Sequence, residues 1–157
     1  DRFKEHPLDE VIRFIRLKPF ADFMADDYHV ISIPADHDKR ENCLIYIIER
    51  EGKCILYGHD TGIKLSDEAW DCIFNYKYDL ISLDATMGRK QSDRYHMGLA
   101  DDIAFAAKLE ERGCIRPDTV KVINHFSHNG GMTHEELEVF AKEHGMIAAY
   151  DGMTVLI

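Results

Sequence analysis

The chain has 157 residues, 45% hydrophobic and 31% charged, enough to bury one real core and consistent with a single domain spanning 1–157. Its 19 lysines and arginines against 29 aspartates and glutamates give a formal net charge of −10, which argues against a broad phosphate-binding face and so against nucleic acid as the partner. No apolar run approaches the roughly 18–20 residues of a membrane span, no signal-like start is present, and Cys43, Cys54, Cys72 and Cys114 contain no CxxC pair, so buried reduced thiols in a cytoplasmic protein are expected.

In chain order, Leu8, Val11, Ile12, Phe14 and Ile15 recur at helical spacing and predict a helix over 8–17, with Pro7 near its start. "YHVISIPA" (28–35) alternates with period two and predicts a strand. "CLIYIIE" (43–49) and "KCILYG" (53–58) are strand runs on either side of Glu51-Gly52, a hairpin signal. Residues 66–76 predict a helix capped by Ser66, with Ala69, Trp70, Ile73 and Phe74 on one stripe. A buried strand over 79–86 precedes a helix over 98–113, whose stripe is Leu99, Ile103, Ala106 and Leu109 and whose end is marked by Gly113. A strand over 119–124 leads to a helix over 133–145, where Thr133 and Glu136 are spaced as a capping box. The closing "MIAAYDGMTVLI" predicts two short strands joined at Asp151-Gly152.

A β-meander followed by alternating helix and strand is an α/β or α+β pattern of sheet and helix layers. The helices are one-sided, so the other face of the sheet needs cover, either from a second copy in a homodimer or from an upstream segment.

Four predicted strands end in polar residues. His37 follows strand 28–34, His59 and Asp60 follow strand 53–58, Asp84 closes strand 79–83, and His125 follows strand 119–124. Imidazole nitrogens mixed with carboxylate oxygens suit divalent metals. A single histidine after a strand is more often a solvated loop residue, and an Asp-Thr-Gly turn is more often local Asx-turn chemistry. The shared placement is what favours a site.

"YGHDTG" (57–62), "SLDATMG" (82–88), "YHMGLADDIAFAAKL" (95–109), "VINHFSHN" (122–129) and "AAYDGMTVLI" (148–157) stand in the order seen in metallo-β-lactamase-fold phosphodiesterases. From about residue 28 onward the chain most resembles the cyclic-phosphate phosphodiesterases of phosphonate breakdown, and more distantly the tRNA 3′-end-processing endonucleases. The resemblance implies the C-terminal part of a metallo-β-lactamase αββα sandwich, a mixed β-sheet with helices on one face. It implies a metal-dependent hydrolase acting on a small cyclic or nucleotide-like phosphodiester with two divalent ions, zinc or manganese. His37, Asp60 and His125 match metal ligands, Asp60 as the bridging carboxylate. His96 matches the catalytic histidine beside the scissile phosphate, and Asp84 the carboxylate that orients it. His59 matches no ligand and reads as packing or support. His128 reads either as phosphate-facing or as a surface residue. His6, His29, His134 and His144 carry no motif.

The family's HxHxDH signature, which supplies most ligands of both metals, is missing from the chain. With the non-Met start at Asp1, this leads to the expectation of a C-terminal portion of a longer enzyme, its HxHxDH ligands on an N-terminal segment. Alone, such a piece is expected to bind metal weakly and hydrolyse little. The alternatives are a degenerate, non-catalytic α/β interaction domain and an endonuclease relative. Only the short turn around Arg50–Gly52 lies where the endonucleases carry a substrate-gripping arm.

Overall fold

A computed structural model describes residues 15–92 and 95–157. Seven strands and three helices follow one another as β1 (Asp22–Ala25), β2 (Tyr28–Pro34), β3 (Leu44–Arg50), β4 (Lys53–Gly58), α1 (Asp67–Phe74), β5 (Tyr78–Asp84), α2 (Leu99–Glu111), β6 (Ile115–Asn124), α3 (His134–Glu143) and β7 (Ile147–Ala148). They form one mixed sheet in sequential order. β1 to β4 pair antiparallel and β4 to β7 pair parallel.

Local chemistry explains the elements. Glu51 and Gly52 both have positive φ, 51° and 77°, the conformation that a two-residue turn needs to match the twist of its strands. The Ser66 side chain accepts from the Ala69 amide to start α1. Thr133 and Glu136 close the expected capping box on α3. Gly113, at φ 65°, ends α2. Each parallel crossover steps one strand in the same direction. Right-handed connections therefore place α1, α2 and α3 on one face.

That face holds the core. Ile31, Ile47, Leu56 and Ile81 form a row across β2, β3, β4 and β5, packed with Trp70, Phe105, Leu109 and Leu137 from the helices. The opposite face carries Val30, Ile48, Ile55, Leu80 and Val120 in one row and Tyr46, Tyr57, Ser82, Val122 and Ile147 in the next. Val30, Ser82 and Val122 are buried, Tyr57 and Ile147 are exposed, and the rest are partly buried.

The structure departs from the sequence reading in several places. Residues 8–14 of the expected first helix lie outside the described residues, as do His6 and Pro7, and 15–17 are not helical. β1 is short and mostly exposed, too brief for its alternation to register in the sequence. The closing segment forms one strand, not two: Asp151-Gly152 does turn, but 153–157 pair with nothing. β6 starts earlier than expected and absorbs Pro117 where its register with β5 jumps from Tyr78↔Ile115 to Leu80↔Val120. An irregularity of this kind tolerates a missing amide. On α2 the buried stripe is Leu99, Asp102, Phe105, Ala106 and Leu109, while Ile103 is only partly buried. Among the described residues no helix is long and apolar enough to cross a membrane.

Candidate metal centre

β2 and β4 are both antiparallel to β3, and β5 and β6 are parallel to β4. All four therefore point their C-terminal ends to the same sheet edge, and the residues following them converge there. Open α/β sheets characteristically hold ligands at this edge.

The loops at this edge are tied together. The Asp36 amide donates to Thr61 Oγ1 at 2.9 Å, the Gly62 amide to the Asp36 carbonyl at 2.8 Å, and the Lys64 amide to Asp36 Oδ2 at 2.9 Å. A Cβ on Gly62 would lie 2.5 Å from Asp36 Oδ2, so only glycine lets the loop carrying His37 close on the loop carrying Asp60. Gly88 plays the same part on the far side, where a Cβ would meet the Gly130 carbonyl at 2.7 Å.

One ligand-capable atom from each of Asp60, Asp84, His96 and His125 lies within 4.8 Å of the others. His37 joins them through Nε2, 3.2 Å from Asp60 Oδ1. His125 Nε2 is 4.0 Å from the same oxygen. Asp60 and His125 hold left-handed backbone, φ 58° and 59°, a conformation that costs energy and collects at functional sites.

The two carboxylates have different surroundings. Asp84 is fully buried and its oxygens are engaged by protein: the Thr86 amide donates to Oδ1 at 2.9 Å and the Thr61 amide to Oδ2 at 3.3 Å. His96 Nδ1 is 3.0 Å from Asp84 Oδ2, so Nδ1–H donates to Asp84 and Nε2 is left as the working nitrogen. Asp60 is 58% exposed in its side chain. No backbone amide or hydroxyl among the described residues donates to it, and three imidazoles surround it. Asp84 suits orientation; Asp60 has lone pairs to offer an ion.

Two residues the sequence reading passed over set the tautomers of the outer histidines. Thr86 Oγ1 donates to the His125 carbonyl at 2.7 Å and lies 2.7 Å from His125 Nδ1. With its one hydrogen on the carbonyl, Oγ1 accepts from Nδ1–H, and the Nε2 lone pair faces Asp60. Cys43 repeats the device: its thiol points to the Asp38 carbonyl at 3.7 Å while Sγ sits 3.6 Å from His37 Nδ1. Thr86 stands inside "SLDATMG", two residues past Asp84. Cys43, a lone thiol in the sequence, is a half-buried free cysteine at the site.

Comparison of the sequence with protein-family models and with curated proteins gave no match. Solved structures do match. YhfI from Bacillus subtilis, described as a metallo-β-lactamase-fold protein, superposes with a TM-score of 0.62 at 14% identity, over 88% of this chain and 54% of its own. An isothiocyanate hydrolase from Delia radicum gut bacteria gives 0.62 at 16% identity, over 90% of this chain and 59% of its own. The short form of human tRNase Z gives 0.57 at 17% identity, over 86% of this chain and 45% of its own. The chain has the metallo-β-lactamase fold. It spans little more than half the length of the first two matches, and the structures sharing its fold include Igni18 from Ignicoccus hospitalis, described as a metallo hydrolase.

Within the metallo-β-lactamase fold, the donors present fit divalent ions: imidazoles whose Nδ1 sides are engaged by Thr86 and Cys43, beside an exposed carboxylate that no backbone amide or hydroxyl among the described residues claims. His59 is half-buried, bonded to Ser82 Oγ at 2.6 Å and tilted on Tyr57. Burial, then the nearby His125, pulls its pKa down to about 4, so it is neutral at pH 7 and packs. His128 is exposed in a 3-10 turn (His128–Gly130) and is not among the clustered ligand atoms.

Proposed function

We propose that this chain is the C-terminal portion of a metal-dependent phosphodiesterase that hydrolyses a small cyclic or nucleotide-like phosphodiester with two divalent ions, zinc or manganese. The observation that carries the reading is the convergence of Asp60, His37 and His125 beside a separately oriented Asp84–His96 pair. His37, Asp60 and His125 would hold metal, completed by HxHxDH ligands on an N-terminal segment. Ions there supply positive charge that polarises phosphoryl oxygens and acidifies a nucleophilic water.

The protein's own residues do the rest. Asp84 accepts Nδ1–H of His96, fixing the ring and keeping a second nitrogen for the reaction. From Nε2, His96 delivers a proton to the departing alkoxide oxygen, so that the leaving group departs as an alcohol. Buried Asp84, held by two backbone amides, keeps that geometry from drifting. An endonuclease acting on tRNA is the weaker reading, because β3 and β4 are joined by a two-residue turn with no arm, and the chain is acidic.

In a protein with the complete ligand set, His96→Ala should lower phosphodiester turnover by roughly 10²–10⁴-fold with metal content unchanged. Asp60→Ala should lose metal. Unchanged turnover in the first, or full metal in the second, overturns the assignment. The chain by itself should bind metal weakly and hydrolyse little.

A further inference from the structure

One cleft is lined by His37 and another by His125, the two histidines on either hand of Asp60, and the charged groups in their linings differ. On the His37 side a cleft of about 730 Å³ is lined by Lys39, Arg40, Lys64 and Tyr95 along with Asp36 and Asp38. On the His125 side a cleft of about 640 Å³ is lined by Phe126, His134, Tyr150 and Asp151, with no lysine or arginine. Concentrating three of only 19 basic residues in one cleft of a chain with net charge −10 needs a cause.

The basic cleft is not internally neutralised. Arg40 bonds Asp38 through both carboxylate oxygens, so those two charges cancel. Asp36 is engaged by the Lys64 backbone amide, not by its ammonium. Among the described residues neither Lys39 nor Lys64 forms an ion pair. Two ammonium groups thus face open space beside a proposed metal ligand, with Asp36 the one carboxylate of the cleft not already paired to a cation. In the other cleft, Asp151 is exposed and His134 is occupied by Glu138 at 3.4 Å. Tyr150, 60% exposed, meets the His134 ring edge-on at 6.3 Å and leaves much of its own ring to solvent.

We propose that the substrate is an asymmetric phosphodiester: one arm ends in an anionic group held by Lys39 and Lys64, and the other is uncharged and rests against Tyr150. This rests on the phosphodiesterase reading and adds the direction in which the substrate lies. The scissile phosphate sits at Asp60, between His37 and His125, and an arm extends into each cleft. A substrate with anions on both sides, such as a nucleic-acid strand, meets Asp151 at one end without a compensating cation. Complementary charge on one side only sets orientation as well as affinity.

Two measurements separate this inference from the reading beneath it. First, the metal-free chain is titrated with inorganic phosphate, following the Lys and His resonances. Wild type should bind, and Lys39→Ala/Lys64→Ala should bind at least fivefold more weakly. Equal binding by both overturns the basic cleft. Second, metal-loaded protein with the complete centre is given two isosteric esters, 4-carboxyphenyl and 4-carbamoylphenyl p-nitrophenyl phosphate. Wild type should prefer the carboxylate ester in kcat/KM by tenfold or more, and the double variant should lose that preference. Cleavage of both esters at equal rates upholds the phosphodiesterase and overturns the orientation. If neither ester is cleaved, the phosphodiesterase reading falls, and with it the proposed substrate; the phosphate titration then still decides whether the cleft binds anions.

Discussion

At the residue scale, two side chains give the sharpest tests. Thr86 holds the Nδ1 side of His125 and the His125 carbonyl with one hydroxyl. Thr86→Val keeps the shape and removes the acceptor, leaving His125 free to take the other tautomer. Metal affinity, read by competition with a chelator, should fall about 10–100-fold with an unchanged circular dichroism spectrum. Asp102 presents a different problem. It is fully buried on α2, and neither carboxylate oxygen has a partner among the described residues. Burial first, then the charges of Asp84 and Asp101, holds its carboxyl well above the ordinary range. The folded state therefore keeps a proton that the unfolded chain has released, and stability falls as pH rises from about 3.9 towards the raised value, by at most about 1.4 kcal/mol per pH unit. Asp102→Asn should flatten that decline in urea unfolding compared between pH 5 and pH 8. An identical slope in both proteins would show that Asp102 is not the proton carrier. The sequence could not reveal this residue, because an aspartate in the first turn of a helix reads as a favourable charge at the dipole's positive end.

At the element scale, one histidine adds side-chain bonds to the backbone pairing of β1 with β2. His29 on β2 places Nδ1 2.8 Å from Glu49 on β3 and Nε2 2.7 Å from Asp22 on β1, tying three strands together. These hydrogen bonds, that to Glu49 foremost, raise its pKa above 6.5. A raised histidine contributes stability that is fully present below its unfolded value and is lost as pH climbs through the folded one. Amide exchange in β1, corrected for intrinsic rate, should therefore accelerate between pH 6 and pH 9. His29→Gln should remove the pH dependence, and equal dependence in both proteins would refute the tie. The caps and the Glu51-Gly52 turn were legible beforehand, because side-chain-to-backbone bonds and left-handed turns are properties of four or five adjacent residues. β1 was not, because it is defined by what it pairs with.

At the scale of the whole molecule, the sheet has one face packed by helices and one half-exposed face bearing two apolar rows. The proposed metal centre lies at the end of the sheet where β2, β4, β5 and β6 deliver their loops. If the remaining ligands come from an N-terminal segment, restoring an HxHxDH-bearing segment should let zinc raise the melting temperature strongly. Ligand at a hundred times its Kd stabilises by about 2.7 kcal/mol. Asp60→Ala should abolish that rise, and the present chain alone should show little of it. A large zinc-induced rise in the chain alone would mean that His37, Asp60 and His125 suffice.

By itself the sequence determined the alternation of strand and helix, their caps and turns, and the placing of His37, Asp60, Asp84 and His125 at strand ends, because these follow from periodicity and local hydrogen bonding. Only the tertiary structure decided which groups face one another. The common direction of β2, β4, β5 and β6 turns distant positions into neighbours. Burial separates Asp84, consumed by amides, from Asp60, left open. The two clefts arise from loops more than a hundred residues apart, Asp36–Arg40 and Ala149–Gly152, and charge complementarity at that range belongs to the folded surface, not to the order of the chain.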